Sequence, residues 1–254
     1  MKNKILVFIT VFYFVILLSQ VKCFAYGFGI SKNNTNTQPD AGFYKEIIEK
    51  NNGYYVGDNS TNKIYLTFDC GYENGNTSKI LDVLKEQKIT ATFFITGHYI
   101  DSASELVLRM KEEGHVIGNH SNKHKNITTL TAEEIEKEIV DLNTKYYRLT
   151  GENMTNFYRP PEGEFNDKSL SVVSSLGYIP LFWSVAYPDW NHKHNVSYVV
   201  NEICSNLHPG AVILMHAVSN DNALALNEIA NISQKNGYIF SPIYEILNEN
   251  DLFS

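Results

Sequence analysis

The chain has 254 residues, 43% of them hydrophobic and 19% charged, with a formal net charge of -7. That length and balance suit one or at most two folded domains with ample core. The acidic excess tells against nucleic acid or an anionic membrane as the main partner.

The N-terminus opens with a short basic stretch, residues 1–4, followed by residues 5–18, apolar throughout except Thr10. Such a run falls short of the roughly 20 residues that span a bilayer. Cys23-Phe24-Ala25 then offers a small-x-small cleavage site. The expectation is a secretory signal peptide over residues 1–25, which exports the protein. The alternative is an uncleaved anchor, since Val21 and Phe24 lengthen the apolar segment. Lys22 before Cys23 speaks against a lipid-modified cysteine. Cys70 and Cys204 remain after cleavage, which is no disulfide framework.

Residues 26–62 read as an N-terminal arm: an Asn-, Thr- and Gly-rich linker or extended arm over 26–42, then a short helix over 43–50. The main folded domain is expected over 63–254. It begins with the strand Lys63-Ile-Tyr-Leu-Thr-Phe-Asp69-Cys70, alternating β-branched and aromatic residues before an acid and a thiol. Helix and strand then alternate. Apolar spacing predicts helices over 76–88, 104–113, 131–149, 168–176, 196–207 and 223–236. Strands are predicted over 90–96, 116–120, 157–159, 178–186, 211–216 and 238–240. Thr131 and Glu134 form a capping box. The architecture this implies is a parallel α/β fold, a distorted (β/α) barrel with about seven strands.

Asp69, His120, Arg159, Asp189 and His216 each end or follow a predicted strand, so a barrel gathers them on one face. His120-Ser-Asn-Lys-His124 places two histidines four apart, which on a helical turn lie on one side and share a metal ion; the alternative is two surface or core histidines. Arg159-Pro-Pro-Glu-Gly163 is an arginine on a rigid turn, suited to orienting Asp69; the alternative is an ordinary salt bridge at a loop. His115, His192 and His194 read as surface or turn residues, His208 as part of a turn, and His98 as near the rim.

In this order the motifs Thr67-Phe-Asp-Cys-Gly71, His120-Ser-Asn-Lys-His124, Arg159-Pro-Pro-Glu-Gly163, Asp189-Trp190 and Leu214-Met-His216 resemble those of the polysaccharide deacetylases, the NodB-homology type of carbohydrate esterase family 4. Gly71-Tyr-Glu-Asn-Gly75, Phe182-Trp-Ser-Val-Ala186 and Val218-Ser-Asn-Asp-Asn-Ala223 are similar to the PdaA-type subgroup, the δ-lactam-biosynthetic de-N-acetylases of spore-forming bacteria. The resemblance covers nearly all of the mature chain. It implies removal of N-acetyl groups from peptidoglycan, at N-acetylmuramic acid of the spore cortex, with dependence on an amidase that first removes the stem peptide. It implies a divalent metal, zinc above all, on His120 and His124. Asp69 is then the base, held by Arg159, and His216 the acid, tuned by Asp189. Trp190, Leu214 and Met215 wall the acetyl pocket, Glu162 lends a backbone N–H, and Tyr72 joins the substrate-binding set. Two departures stand out. Cys70 replaces a metal-binding aspartate of the wider family and is a possible third ligand, and Ala186 stands where many relatives have an aspartate. Other readings are a deacetylase of N-acetylglucosamine in peptidoglycan or chitin-like oligosaccharides, a catalytically weak carbohydrate-binding protein, and a phosphoesterase, the last disfavoured by the lack of clustered basic residues.

Overall fold

A computed structural model describes residues 25–31, 35–189 and 194–247. The stretch read as a signal peptide lies outside these residues save Ala25, and so do Trp190 and His192. The frame is a seven-stranded parallel sheet in the order β7-β5-β4-β3-β2-β8, with β9 also on β2. Its strands are β2 (Lys63–Cys70), β3 (Thr92–Ile95), β4 (Val116–Asn119), β5 (Phe157–Tyr158), β7 (Ile179–Pro180), β8 (Val212–His216) and β9 (Ile239–Phe240). Helices α2 (Thr77–Gln87), α3 (Gly97–Glu112), α4 (Ala132–Thr150), α5 (Asp167–Ser175), α6 (Val196–Cys204) and α7 (Asn220–Lys235) cover the outside. The central strands are buried on both faces, which is why they read as unbroken apolar runs.

The predicted strand over 178–186 is regular only at its start. It leaves β5 and crosses to the far edge: Leu181 N–H donates to Tyr158 O, whereas Ser184 N–H donates to Val212 O. A parallel bridge between Val185 and Ile213 completes the crossing. This one run joins the two edges of the curled sheet, so the strand ends form a ring. Below, a 3-10 turn (Ile243–Ile246) plugs the ring. Ile243 and Ile246 pack with Tyr65, Phe94 and Val212, and Tyr65 donates its hydroxyl to Glu245 O.

Helix α4 begins as its sequence predicts. Thr131 accepts from Glu134 N–H, and the Glu134 carboxylate accepts from Thr131 N–H. Such a cap is worth about 1 kcal/mol. Helix α3 starts earlier than expected: Thr96 caps it, and non-helical Ala103 kinks it, so the apolar periodicity changes phase there. The arm is no loose linker. Strand β1 (Tyr26–Gly27) pairs antiparallel with β6 (Glu164–Phe165), and Phe28 N–H donates to Gly163 O. Helix α1 (Phe43–Lys50) follows, and Phe28 and Ile48 join Phe165 and Phe182 in one buried cluster. The arm thereby braces the turn that follows Arg159.

Candidate active site

Strand β2 sorts its side chains by alternation. Ile64, Leu66, Phe68 and Cys70 join the apolar cluster under the helices, while Tyr65 faces the ring interior. Thr67 and Asp69 share the face of Tyr65 by the period of two. In the parallel register Asp69 stands opposite His216 of β8, so both project from one face.

Arg159 lies inside the ring, 0% exposed. Its Nη1 donates to Asp69 Oδ1 and to Thr67 Oγ1, both at 2.8 Å. Its Nε donates to Leu181 O and its Nη2 to Phe182 O, each at 3.1 Å. Thr67 Oγ1 in turn donates a hydrogen bond to Ile213 O. The guanidinium thus ties β2 to the crossing run, with its carbon 4.2 Å from the centroid of the Phe94 ring. Gly118 permits this, because a Cβ there would meet the Phe94 ring at 2.5 Å. Burial pushes the Asp69 carboxyl up, but Arg159, then His120 and His216, outweigh it and hold it below the usual carboxylate range.

His120 is buried just beyond β4. Its Nδ1 lies 2.9 Å from Arg159 O, and a carbonyl can only accept, so Nδ1 carries the proton. Burial pushes the ring's pKa down to about 4. The imidazole is therefore neutral near pH 7 with its lone pair on Nε2, 3.6 Å from Asp69 Oδ2. His124 places its ring centroid 4.8 Å from that of His120. The two are not on a helical turn as expected. Ser121 and His124 both have left-handed backbone, at φ 63° and 53°, so the chain bends back instead. Two imidazoles beside a carboxylate are donors that suit zinc, and a fixed Nδ1–H is the usual second partner of a ligating histidine. Among the described residues no three His, Cys, Asp or Glu side chains stand as a ready metal cage.

Across the ring, His216 Nδ1 lies 2.6 Å from Asp189 Oδ1, and His216 N–H donates to Asp189 Oδ2 at 2.8 Å. Burial lowers the pKa of the His216 ring, but the hydrogen bond and charge of Asp189, with Asp69 behind it, outweigh that and raise it. Asn222, fully buried in the first turn of α7, also donates to Asp189 Oδ2 and to His216 O. Tyr187 donates its hydroxyl to Asn222 Oδ1, which orients the amide with its NH₂ toward the carboxylate. Neither residue stands out in the sequence. The signal was the polar run 219–222 after a strand-end histidine, in which Asn222 passes for an ordinary helix-start residue.

Other expectations fare differently. Cys70 does not join the imidazoles; it is 1% exposed on the opposite face of β2 from Asp69, and burial pushes its thiol well up. Met215 likewise packs under the helices, whereas Leu214 shares the face of His216. Glu162 is exposed with φ 60°, and Tyr72 is 54% exposed beside the strand end. His115 is buried, its Nδ1 accepting from Ala91 N–H; His208, read as part of a turn, is buried too, with its Nε2 meeting Ser184 Oγ. Trp190 lies outside the described residues.

Residues 56–181 match the family profile described as polysaccharide deacetylase. The peptidoglycan-N-acetylmuramic acid deacetylase PdaA of Bacillus subtilis is 41% identical over 227 residues, covering 88% of this chain and 86% of the relative. The chain belongs to the polysaccharide deacetylases. The solved structure of Bacillus subtilis PdaA, a family 4 carbohydrate esterase, superposes with a TM-score of 0.84 at 42% identity, over 87% of this chain and 96% of that one. A peptidoglycan-N-acetylglucosamine deacetylase of Bacillus cereus is 34% identical over 67% of this chain and 61% of its own length. This deacetylase is accordingly a hydrolase of the same fold, a parallel sheet curled into a barrel with helices outside.

Proposed function

We propose that this chain hydrolyses the N-acetyl group of N-acetylmuramic acid in peptidoglycan, releasing acetate and a free amino sugar. The observation that carries the reading is two acid/base groups of opposite poise at one mouth. Arg159 lowers the pKa of Asp69 and so favours its ionised form, and Asp189 raises that of His216 and so favours its protonated form. Environments that push two pKa values apart mark the base and the acid. A zinc ion on His120 and His124 would supply an acidified water and polarise the acyl oxygen.

In this reading Asp69 takes the proton of the attacking water through Oδ2, the oxygen that faces His120 rather than Arg159. Arg159 keeps Oδ1 engaged and so fixes the direction of Oδ2. His216 gives its Nε2 proton to the departing amine, while Nδ1 stays on Asp189. Leu214 forms an apolar wall beside it, and Tyr72 offers an aromatic face to sugar rings. The backbone N–H of Glu162 would receive the oxyanion.

Muramic acid as the acetylated sugar is supported by the 41% identity to the Bacillus subtilis relative. It implies a glycan first stripped of its stem peptide by an amidase, as a step toward muramic δ-lactam in spore cortex. It also implies export through the N-terminal segment. N-Acetylglucosamine is the second reading, favoured by the Bacillus cereus relative. Mass spectrometry of cortex glycan fragments treated with the zinc-loaded protein tests the choice. We expect the lost acetyl on the muramic residue; loss from glucosamine alone, or equal turnover of chitin oligosaccharides, would reverse the assignment.

A further inference from the structure

The loop from His120 to His124 is held in an unfavourable shape by groups outside it. Ser121 and His124 are non-glycine residues in the left-handed region. Such residues are uncommon and persist only where the surroundings over-determine them. Three consecutive amides between the histidines are caught. Ser121 N–H donates to Asn119 Oδ1 at 3.0 Å, and Asn122 N–H donates to the backbone carbonyl of Glu138 at 3.1 Å. Lys123 N–H donates to Glu138 Oε2 at 2.6 Å. One residue of α4 thus accepts two of the three, with backbone and side chain. Asn119 is itself fixed by donating to Ile139 O, the next carbonyl of the same helix. From the opposite side, Gly97 N–H donates to Asn122 O at 3.1 Å, and a Cβ at residue 97 would stand 1.9 Å from Asn122 Oδ1.

Glu138 is 6% exposed, on the buried stripe of α4 that otherwise carries Ile135, Ile139 and Leu142. A carboxylate there costs far more to bury than the leucine or isoleucine that packing alone would favour. The work it does is at Lys123 N–H, immediately before His124.

We propose that Glu138 is the positioning residue of the metal-binding loop: its carboxylate grips the Lys123 amide and sets the His124 imidazole against that of His120. This rests on the reading of the two histidines as metal ligands. Outer partners that orient ligands typically contribute about 10–100-fold to metal affinity. The role here is hydrogen-bond acceptance, so an amide oxygen at the same place serves in its stead.

The test is zinc affinity of the full chain by competition with a chromogenic chelator, alongside thermal melting of the metal-free protein. Glu138→Ala should bind zinc about 10–100-fold more weakly. Glu138→Gln, which keeps an oxygen for Lys123 N–H, should stay close to the parent. Gly97→Ala leaves Glu138 untouched but drives a methyl into Asn122, and should weaken zinc in the same direction. Parental affinity in Glu138→Ala overturns the proposal. So does a Glu138→Gln protein as weak as Glu138→Ala, which would show that charge and not the grip matters. If Glu138→Ala does not fold, parental affinity in Gly97→Ala overturns it. A parent that binds no zinc, or a His120→Ala variant that binds as the parent does, defeats the reading of the histidines and the proposal with it. Normal His120 dependence with an unaffected Glu138→Ala defeats the proposal alone.

Discussion

The two halves of the site are built from opposite materials. Asp69 and Arg159 lie inside the ring, the arginine wholly buried and bonded to β2 and to the crossing run. His216 and Asp189 lie at the rim, where the imidazole is 24% exposed and its partner comes from the segment beyond that run. Inside, a fixed cation keeps a carboxylate free of its proton. At the rim, a fixed carboxylate favours the protonated form of an imidazole. Burial opposes charge in both places and loses in both to nearby counter-charge, Arg159 foremost inside and Asp189 foremost at the rim. The inner pair is part of what holds the barrel shut, whereas the rim pair is held by it.

That contrast breaks most readily in stability. Arg159→Met should cost about 3–5 kcal/mol, because it leaves the buried Asp69 carboxylate uncompensated. His216→Ala, at the rim, should cost about 1 kcal/mol. Urea denaturation of both variants reads the difference, and equal midpoints would erase the distinction between the halves. The rim pair is tested by pH. Asp189 raises the pKa of His216, so Asp189→Asn should let the ring lose its proton at lower pH. The alkaline limb of kcat/KM should move toward acid, and an unmoved limb would assign that limb to another group.

A smaller effect concerns the histidines buried neutral. His115 and His120 are each pushed down to about 4, below the ordinary value near 6.5. The unfolded chain therefore binds protons that the folded chain refuses, and metal-free stability should fall as pH drops from about 6.5 to about 4. Replacing His115 by Gln should remove up to about 1.4 kcal/mol per pH unit of that slope. A slope identical to the parent's would show that His115 charges in the folded state. The smallest effect is at Cys70. Because its thiol faces the helices, Cys70→Ala should keep the parental zinc content and cost about 1 kcal/mol. A metal-free Cys70→Ala protein would put the thiolate among the ligands after all.

Much of this was legible in the sequence, for identifiable reasons. Doubly buried strands and capped helices leave strong local patterns, so β2, β8 and α4 appear where periodicity places them. Polar residues at strand ends had to converge once the sheet was parallel. Arg159 beside Asp69 and Asp189 beside His216 follow from that. What depended on backbone shape was hidden. No pattern announces left-handed geometry at Ser121 and His124, nor a strand over 178–186 that changes partners midway. Cys70 and Met215 are a different case. They neighbour Asp69 and His216 on regular strands, so period-two alternation already sends their side chains away from the site. Asn222 and Glu138 were hidden because a polar residue at a helix start, or within a charged helix, has an ordinary explanation on its own.

The most direct measurement of the central claim is acetate released from stem-peptide-free peptidoglycan glycan by the zinc-loaded protein and by its Asp69→Asn and His216→Ala variants. Release by the parent should fall about 10²–10⁴-fold in each variant, with both still folded by circular dichroism. Turnover near the parental rate in either variant would contradict the assignment of an inner base and a rim acid.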